Sequence, residues 1–254
     1  MTDGIIIAGP GGNYTAFVFD NAVSSQQMRK KIDNDLRRKY PIVEQTCFVS
    51  KENDIWRGEM AGGEFCGAAA LGLAFLISKQ EKSDEAFFSF SGCNDFLSAK
   101  IRDSQVTAEF FKLSKGVVQK LRENLYVVEL PGITHFVTFD NVPLPQPKLR
   151  QLIMQYQIQD RAAVGLMIVK SEAKNPTIDP WVWVRDIDSL INETACISGA
   201  VATASVISDM TKSVTIQQPC GAMTEINFIE TSRDIAVSVA SPMNILHLEI
   251  AAAA

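Results

Sequence analysis

Two cysteines each stand at the head of a run of small residues. Cys66 precedes Gly67-Ala68-Ala69-Ala70, and Cys196 precedes Ile197-Ser198-Gly199-Ala200. If each run is a helix, its cysteine sits where the first N–H groups lack partners and the helix carries roughly half a positive charge. A thiol so placed is expected to ionise more readily, giving thiolate near neutral pH. The same amides can hold a carboxylate. With the two helix starts brought together, a small anion lies between two sulfurs on opposite faces. One thiolate then removes a proton while the other thiol donates one from the far side, which is stereoinversion by general acid–base catalysis. Gly62, Gly63, Gly67 and Gly199 around the cysteines suit close approach of backbone to ligand. The bland alternative is that small residues and cysteines coincide in two buried helices, since cysteine packs as a small hydrophobe.

The surrounding pattern supplies elements to position these groups. Gly4–Ala8 and Thr15–Phe19 read as strands, and the polar, helically spaced stretch Ser24–Tyr40 ends at Pro41. Ile42–Val49 and Asp54–Met60 are strand candidates before an apolar helix at Ala68–Lys79. A helix apolar on every side is buried on every side. The second half repeats the plan: strands at Tyr126–Leu130, His135–Phe139, Gly165–Val169 and Trp181–Val184, a short helix at Lys148–Gln157, and a small-residue helix at Ser198–Met210. Each cysteine helix is followed by a strand, a turn bearing another cysteine (Cys93 and Cys220), and a further strand. This internal repeat predicts an α/β protein of two pseudo-symmetric domains, residues 1–115 and 116–242, with a final strand at about 243–254 returning to the first.

Composition narrows the function class. The chain has 254 residues, with 24 Lys+Arg against 29 Asp+Glu and a net charge of -5. That size holds one large or two smaller domains, and the mild acidity argues against a nucleic-acid or anionic-membrane partner. The apolar run at Ala68–Ile77 is far short of the roughly 20 residues of a membrane span. The opening Met-Thr-Asp-Gly carries no basic region, so no secretory signal and a cytoplasmic location are expected. Five scattered cysteines and two histidines predict reduced thiols and no zinc site. Gly9-Pro10-Gly11-Gly12 lacks the Lys-Ser/Thr of a phosphate loop.

The strings Gly63-Glu64-Phe65-Cys66-Gly67 and Asn192-Glu193-Thr194-Ala195-Cys196-Ile197-Ser198-Gly199 resemble the two catalytic-cysteine motifs of the diaminopimelate epimerase-like superfamily, the amino-acid racemases that work without pyridoxal phosphate. Gly11-Gly12-Asn13-Tyr14-Thr15 is similar to that superfamily's N-terminal Gly-Asn signature, and Ser91–Asp95 and Gln217–Gly221 to its turns. Within it, the Glu44-Gln45 pair, the Gly-x-Glu-Phe-Cys-Gly string and the Gln-Pro-x-Gly turn resemble the histidine racemases of staphylopine-type metallophore biosynthesis. The resemblance implies curved, mainly antiparallel sheets, each wrapped around a central helix. It also implies an amino-acid substrate, no cofactor or metal, and Cys66 and Cys196 as the acid–base pair. Asn13, Gly67, Ser198 and Gly199 would hold the substrate's carboxylate and amino group, with Ala68 in the pocket making it less polar, Glu44 and Gln45 reading the side chain, and a homodimer in keeping.

Some positions depart from the superfamily pattern. Ala68 replaces an asparagine, Ile197 a glycine, and Ile133-Thr134 an Asn-Pro before His135, while the Glu-Arg-Gly clamp for a second amino-acid head group has no match near Trp183–Asp186. These changes favour histidine, or another amino acid with a polar or cationic side chain, over diaminopimelate. A diaminopimelate epimerase, a racemase of another amino acid, or a non-racemising isomerase or binding protein on the same fold are the alternatives. Plainer roles stand beside the functional ones: Ser198 as a helix cap, Asn13 as a turn residue, Glu44 as an exposed strand carboxylate, and His135, Cys47, Cys93 and Cys220 as packing.

Overall fold

The computed structural model describes residues 5–10, 12–19, 25–114, 116–170 and 175–246. The first half runs β1 (Ile5–Gly9), β2 (Tyr14–Phe19), α1 (Gln26–Lys39), β3 (Val43–Glu52), β4 (Ile55–Met60), α2 (Gly67–Glu81), β5 (Glu85–Phe90), β6 (Leu97–Arg102) and β7 (Gln105–Leu113). The second runs β8 (Val118–Arg122), β9 (Leu125–Leu130), β10 (Ile133–Thr138), α3 (Pro145–Gln155), β11 (Ala163–Lys170), β12 (Thr177–Val184), β13 (Ser189–Asn192), α4 (Ile197–Ser208), β14 (Val214–Gln217), β15 (Met223–Glu230), β16 (Ile235–Pro242) and β17 (Asn244–Leu246).

Pairing exposes the repeat more clearly than the sequence does. In the first half β1 and β2 are antiparallel, β2 and β3 parallel across α1, β3 and β4 antiparallel, β4 and β5 parallel across α2, and β5, β6 and β7 antiparallel. In the second half β9, β10, β11, β12, β14, β15 and β16 follow the same succession, with α3 and α4 as the crossovers. A helix is what a parallel connection needs. β7 and β16 pair antiparallel and join both halves into one mixed 17-stranded sheet. β8 pairs with β9, and β17 with β1. Residues 247–254 of the expected last strand lie outside the described residues.

Each repeat closes on its central helix. α2 is buried from Gly67 to Ser78 and touches β1, β2, β4, β5, β6 and β7. α4 is buried from Ile197 to Ser205 and touches β9, β10, β11, β14, β15 and β16. Strands meet these helices on several sides, so neither has a polar face to spare. α1 contrasts with them: Ser25 Oγ caps it at 3.2 Å from the Met28 amide, and Arg37, Arg38 and Lys39 fill its last turn, where cations suit the helix dipole.

The element boundaries differ from the sequence reading where turns intervene. β4 starts at Ile55 because Asn53 and Asp54 both take positive φ, as a two-residue hairpin turn demands. Four strands went unread: β7, β8, β13 and β16. Among the described residues no helix is long and apolar enough to cross a membrane.

Candidate active site

Cys66 and Cys196 are the N-cap residues of α2 and α4, both with extended backbone. Each sulfur accepts from an amide of its own first turn: Cys66 Sγ from Ala69 N at 3.4 Å, and Cys196 Sγ from Gly199 N at 3.3 Å. The two helices touch, and both cysteines line one enclosed cavity with Asn13, Gln45, Gly67, Ala68 and Ser198.

The segments leading into the helices are fixed by the turns that follow them. Ser91 Oγ donates to the Glu64 carbonyl at 2.7 Å and accepts from Met60 N at 3.0 Å. Gly92, with φ +76°, lies so close that an added Cβ would be 2.5 Å from Phe65 N, so this turn requires glycine. Phe65 packs edge-on against Phe90, Phe110 and Phe111, which anchors the chain beside Cys66. In the second half, buried Gln218 accepts from Cys196 N at 2.9 Å, and Cys220 N donates to the Thr194 carbonyl at 3.0 Å. Cys220 is thus a turn residue holding the second cysteine's approach.

Polar groups then connect the halves. Asn13 is fully buried; its Nδ2 donates to the Ala195 carbonyl at 2.5 Å, and its Oδ1 lies 2.8 Å from Gln45 Nε2. Gln45 Nε2 also lies 2.9 Å from Cys66 Sγ and 3.0 Å from Thr15 Oγ1. On the other side Ser198 Oγ is 3.7 Å from Cys196 Sγ and 3.0 Å from Nε2 of buried His135. Burial drives the His135 pKa down to about 3, so the ring is neutral.

Three sequence expectations change. Glu44 does not line the cavity; its carboxylate accepts from the backbone N–H of Thr194 at 3.2 Å and from the Thr194 hydroxyl, tying β3 to the second half. Gly199 also stands back from the cavity lining, with its amide on Cys196 Sγ. The thiols, moreover, are not acidified. Burial pushes both pKa values well up, and the Glu193 carboxylate adds to this; the Ala69 and Gly199 amides, with Gln45 and Ser198, pull the other way and lose. The lowering that a helix start gives a thiol is outweighed here by burial, which disfavours the charged form.

The sequence reading missed two carboxylates that line the same cavity, Glu64 and Glu193. Glu64 is 5% exposed, and burial raises its pKa to about 7. Burial and then repulsion from Glu44 raise that of Glu193 to about 8. Their signal was present: each stands two or three residues ahead of a helix-capping cysteine. Among the described residues no group of three His, Cys, Asp or Glu side chains is arranged to hold a metal ion.

A histidine racemase from Fusobacterium nucleatum subsp. nucleatum (strain ATCC 23726) is 27% identical over 207 residues, covering 76% of each chain. A second histidine racemase, from strain ATCC 25586 of that subspecies, is 25% identical over the same length and share. Among solved structures, a phenazine biosynthesis PhzF-family protein from Enterococcus faecalis superposes with a TM-score of 0.62 at 13% identity, covering 97% of this chain and 98% of its own. A hydroxyproline epimerase from Agrobacterium vitis, with bound trans-4-hydroxy-L-proline, gives 0.53 at 9% identity, covering 98% and 92%. These structural likenesses establish the shared fold. The model of the family described as "Histidine racemase CntK N-terminal domain" matches residues 5–247, nearly the whole chain. The chain belongs to that family, and is an isomerase of the racemase/epimerase kind.

Proposed function

We propose that the protein is a histidine racemase that inverts Cα with Cys66 and Cys196 as a two-sided acid–base pair, without a cofactor. The observation that carries this reading is the placement of two repeat-related N-cap thiols on one cavity. In this reading each half is a unit of the diaminopimelate epimerase-like kind, residues 1–115 and 116–242, with the last strand closing the first and the site between them.

The substrate carboxylate is held at the helix starts, where Gly67, Ala68 and Ser198 line the cavity. Asn13 and Gln45 line the same cavity, next to the two cysteines. The substrate ammonium, entering beside Glu193 and Cys196, favours their ionised forms, and the ionised Glu193 carboxylate, which faces the Cys196 thiol, takes its proton and leaves a thiolate. The substrate ammonium stabilises that thiolate against the cost of burial. The thiolate removes the Cα proton, and the C–H electron pair passes into the carboxylate as an enediolate. The Cys66 thiol then protonates Cα from the other face, so thiol and thiolate have exchanged places. The opposite enantiomer reverses the roles. The cavity, about 20 Å³, holds little more than a water molecule, so substrate entry requires the helix starts to part.

Incubation of the purified protein with L-histidine, followed by chiral chromatography, tests this. Equal D- and L-histidine is expected at the end point. Epimerisation of diaminopimelate with none of histidine would contradict the substrate assignment.

A further inference from the structure

The proposed reaction leaves one buried group on the cavity wall without a task. Among the described lining residues the ionisable side chains are two thiols and two carboxylates, with no lysine, arginine or histidine. Glu193 acts electrostatically on both Cys66 and Cys196 and faces the Cys196 thiol, so it belongs with the proton-transferring groups. Glu64 acts on Cys66; the backbone N–H groups of Gly62 and Glu64 itself lie near its carboxyl, but none is aligned on the buried Oε2, which has no side-chain donor among the described residues. Its position is not loose: the Ser91 hydroxyl pins its carbonyl, and a Cβ on Gly62 would meet Oε2 at 2.6 Å and Val184 Cγ1 at 2.5 Å. Native proteins seldom leave a buried carboxylate oxygen unpaired, because its lost hydration is costly.

The surroundings describe what could pair with it. Phe65, Val182 and Val184 add apolar lining to the cavity that holds the Glu64 acceptor, while the other polar lining residues, Asn13, Gln45, Glu193 and Ser198, already have tasks in the proposed reaction. A flat ring with apolar faces and a single edge N–H meets both requirements. A carboxylate-bearing side chain would face two acidic groups and no cation among the described lining residues, so its charge would go uncompensated.

Resting on the histidine racemase reading above, we infer that Glu64 is the specificity-determining residue for the substrate side chain, its free Oε2 accepting the imidazole N–H between walls of Phe65, Val182 and Val184. Glu44, tied to Thr194, does not have that task. Burial, which sets the Glu64 pKa at about 7, also lets the carboxyl accept a proton or share one with an imidazole near neutrality.

Isothermal titration with L-histidine and with 3-(2-thienyl)-L-alanine, a five-membered-ring analogue lacking the N–H, tests the inference. Racemisation itself carries no net heat, so the signal reports binding. Glu64→Gln should weaken histidine about 100-fold, as expected for losing a charge-assisted hydrogen bond, while thienylalanine affinity stays within about 3-fold, as no N–H is there to lose. Glu64→Asp should recover part of the preference. Unchanged thienylalanine binding also reports that the variant is folded. If both ligands weaken equally, Glu64 holds the α-amino group or the fold instead, and the inference is overturned; an undiminished histidine preference overturns it too. A wild-type protein that neither binds nor racemises histidine would overturn the functional reading itself.

Discussion

Ile197 rests on the α-carbon of Gly67: a Cβ added to the glycine would lie 2.8 Å from Ile197 Cγ2 and 2.9 Å from its Cβ. The two helix starts therefore meet through a hydrogen atom on one side and a branched side chain on the other. Gly67→Ala should overpack this contact and cost about 1–3 kcal/mol. Adding Ile197→Ala should return most of the loss. Urea unfolding of the two single variants and the double variant gives the coupling directly. Additive losses would mean that the two residues do not bear on each other.

Gln45 offers one amide group to Asn13, Thr15 and the Cys66 sulfur. If Cys66 alternates between thiol and thiolate, that N–H stabilises the charged form. Gln45→Leu should lower kcat roughly 10- to 100-fold, the worth of one hydrogen bond to a charged group. KM should change much less. Steady-state kinetics decide it, and an unchanged kcat would show that Gln45 only positions Asn13.

Glu44 joins the halves through the Thr194 amide and hydroxyl. Glu44→Ala and Thr194→Val should both lower thermal stability by about 1–3 kcal/mol. Their histidine KM values should move in parallel. A Glu44→Ala variant with unchanged melting and a tenfold higher KM would instead put Glu44 on the substrate.

Stability should depend on pH through two buried groups of opposite sign. His135 has its pKa lowered from 6.5 to about 3, so below pH 6.5 the unfolded chain binds a proton that the folded one refuses. Its contribution is lost as pH falls toward 3, and His135→Asn should flatten that acid limb. Glu64 has its pKa raised from 4.5 to about 7, so the folded protein keeps a proton that the unfolded chain releases. Stability is therefore lost as pH rises through that window. Glu64→Gln should gain on the wild type between pH 5 and pH 7.5, with a limit on the order of 3 kcal/mol. Urea midpoints across this range would show parallel curves if Glu64 were already ionised in the fold.

Much of this architecture was legible, and the gaps have physical causes. The cysteine helices announced themselves because helices buried all round carry no polar stripe. β16 escaped because it is buried on both faces nearly throughout, erasing the alternation that marks a strand. β7 alternates, but a register shift opposite Val237/Ser238 leaves Phe110 unpaired, and both Phe110 and Phe111 turn inward toward Phe65. Those two strands form the seam between the halves, so the single continuous sheet was the part least visible. The site followed the same rule. Asn13, Gln45 and Ser198 reach the cavity from their sequence positions, whereas Glu44 is diverted by Thr194, a partner 150 residues away. Thiol acidity also went wrong, because helix starts are a local feature and burial is not.

The two-thiol inversion is tested most directly by running the reaction on L-histidine in D₂O and reading Cα deuterium in both enantiomers at early conversion. Proton removal by one sulfur and delivery by the other predicts that D-histidine forms carrying solvent deuterium while recovered L-histidine stays protonated. Cys66→Ala and Cys196→Ala should each stop D-histidine formation. D-histidine that retains the original Cα proton, or that still forms when either cysteine is alanine, would contradict the account.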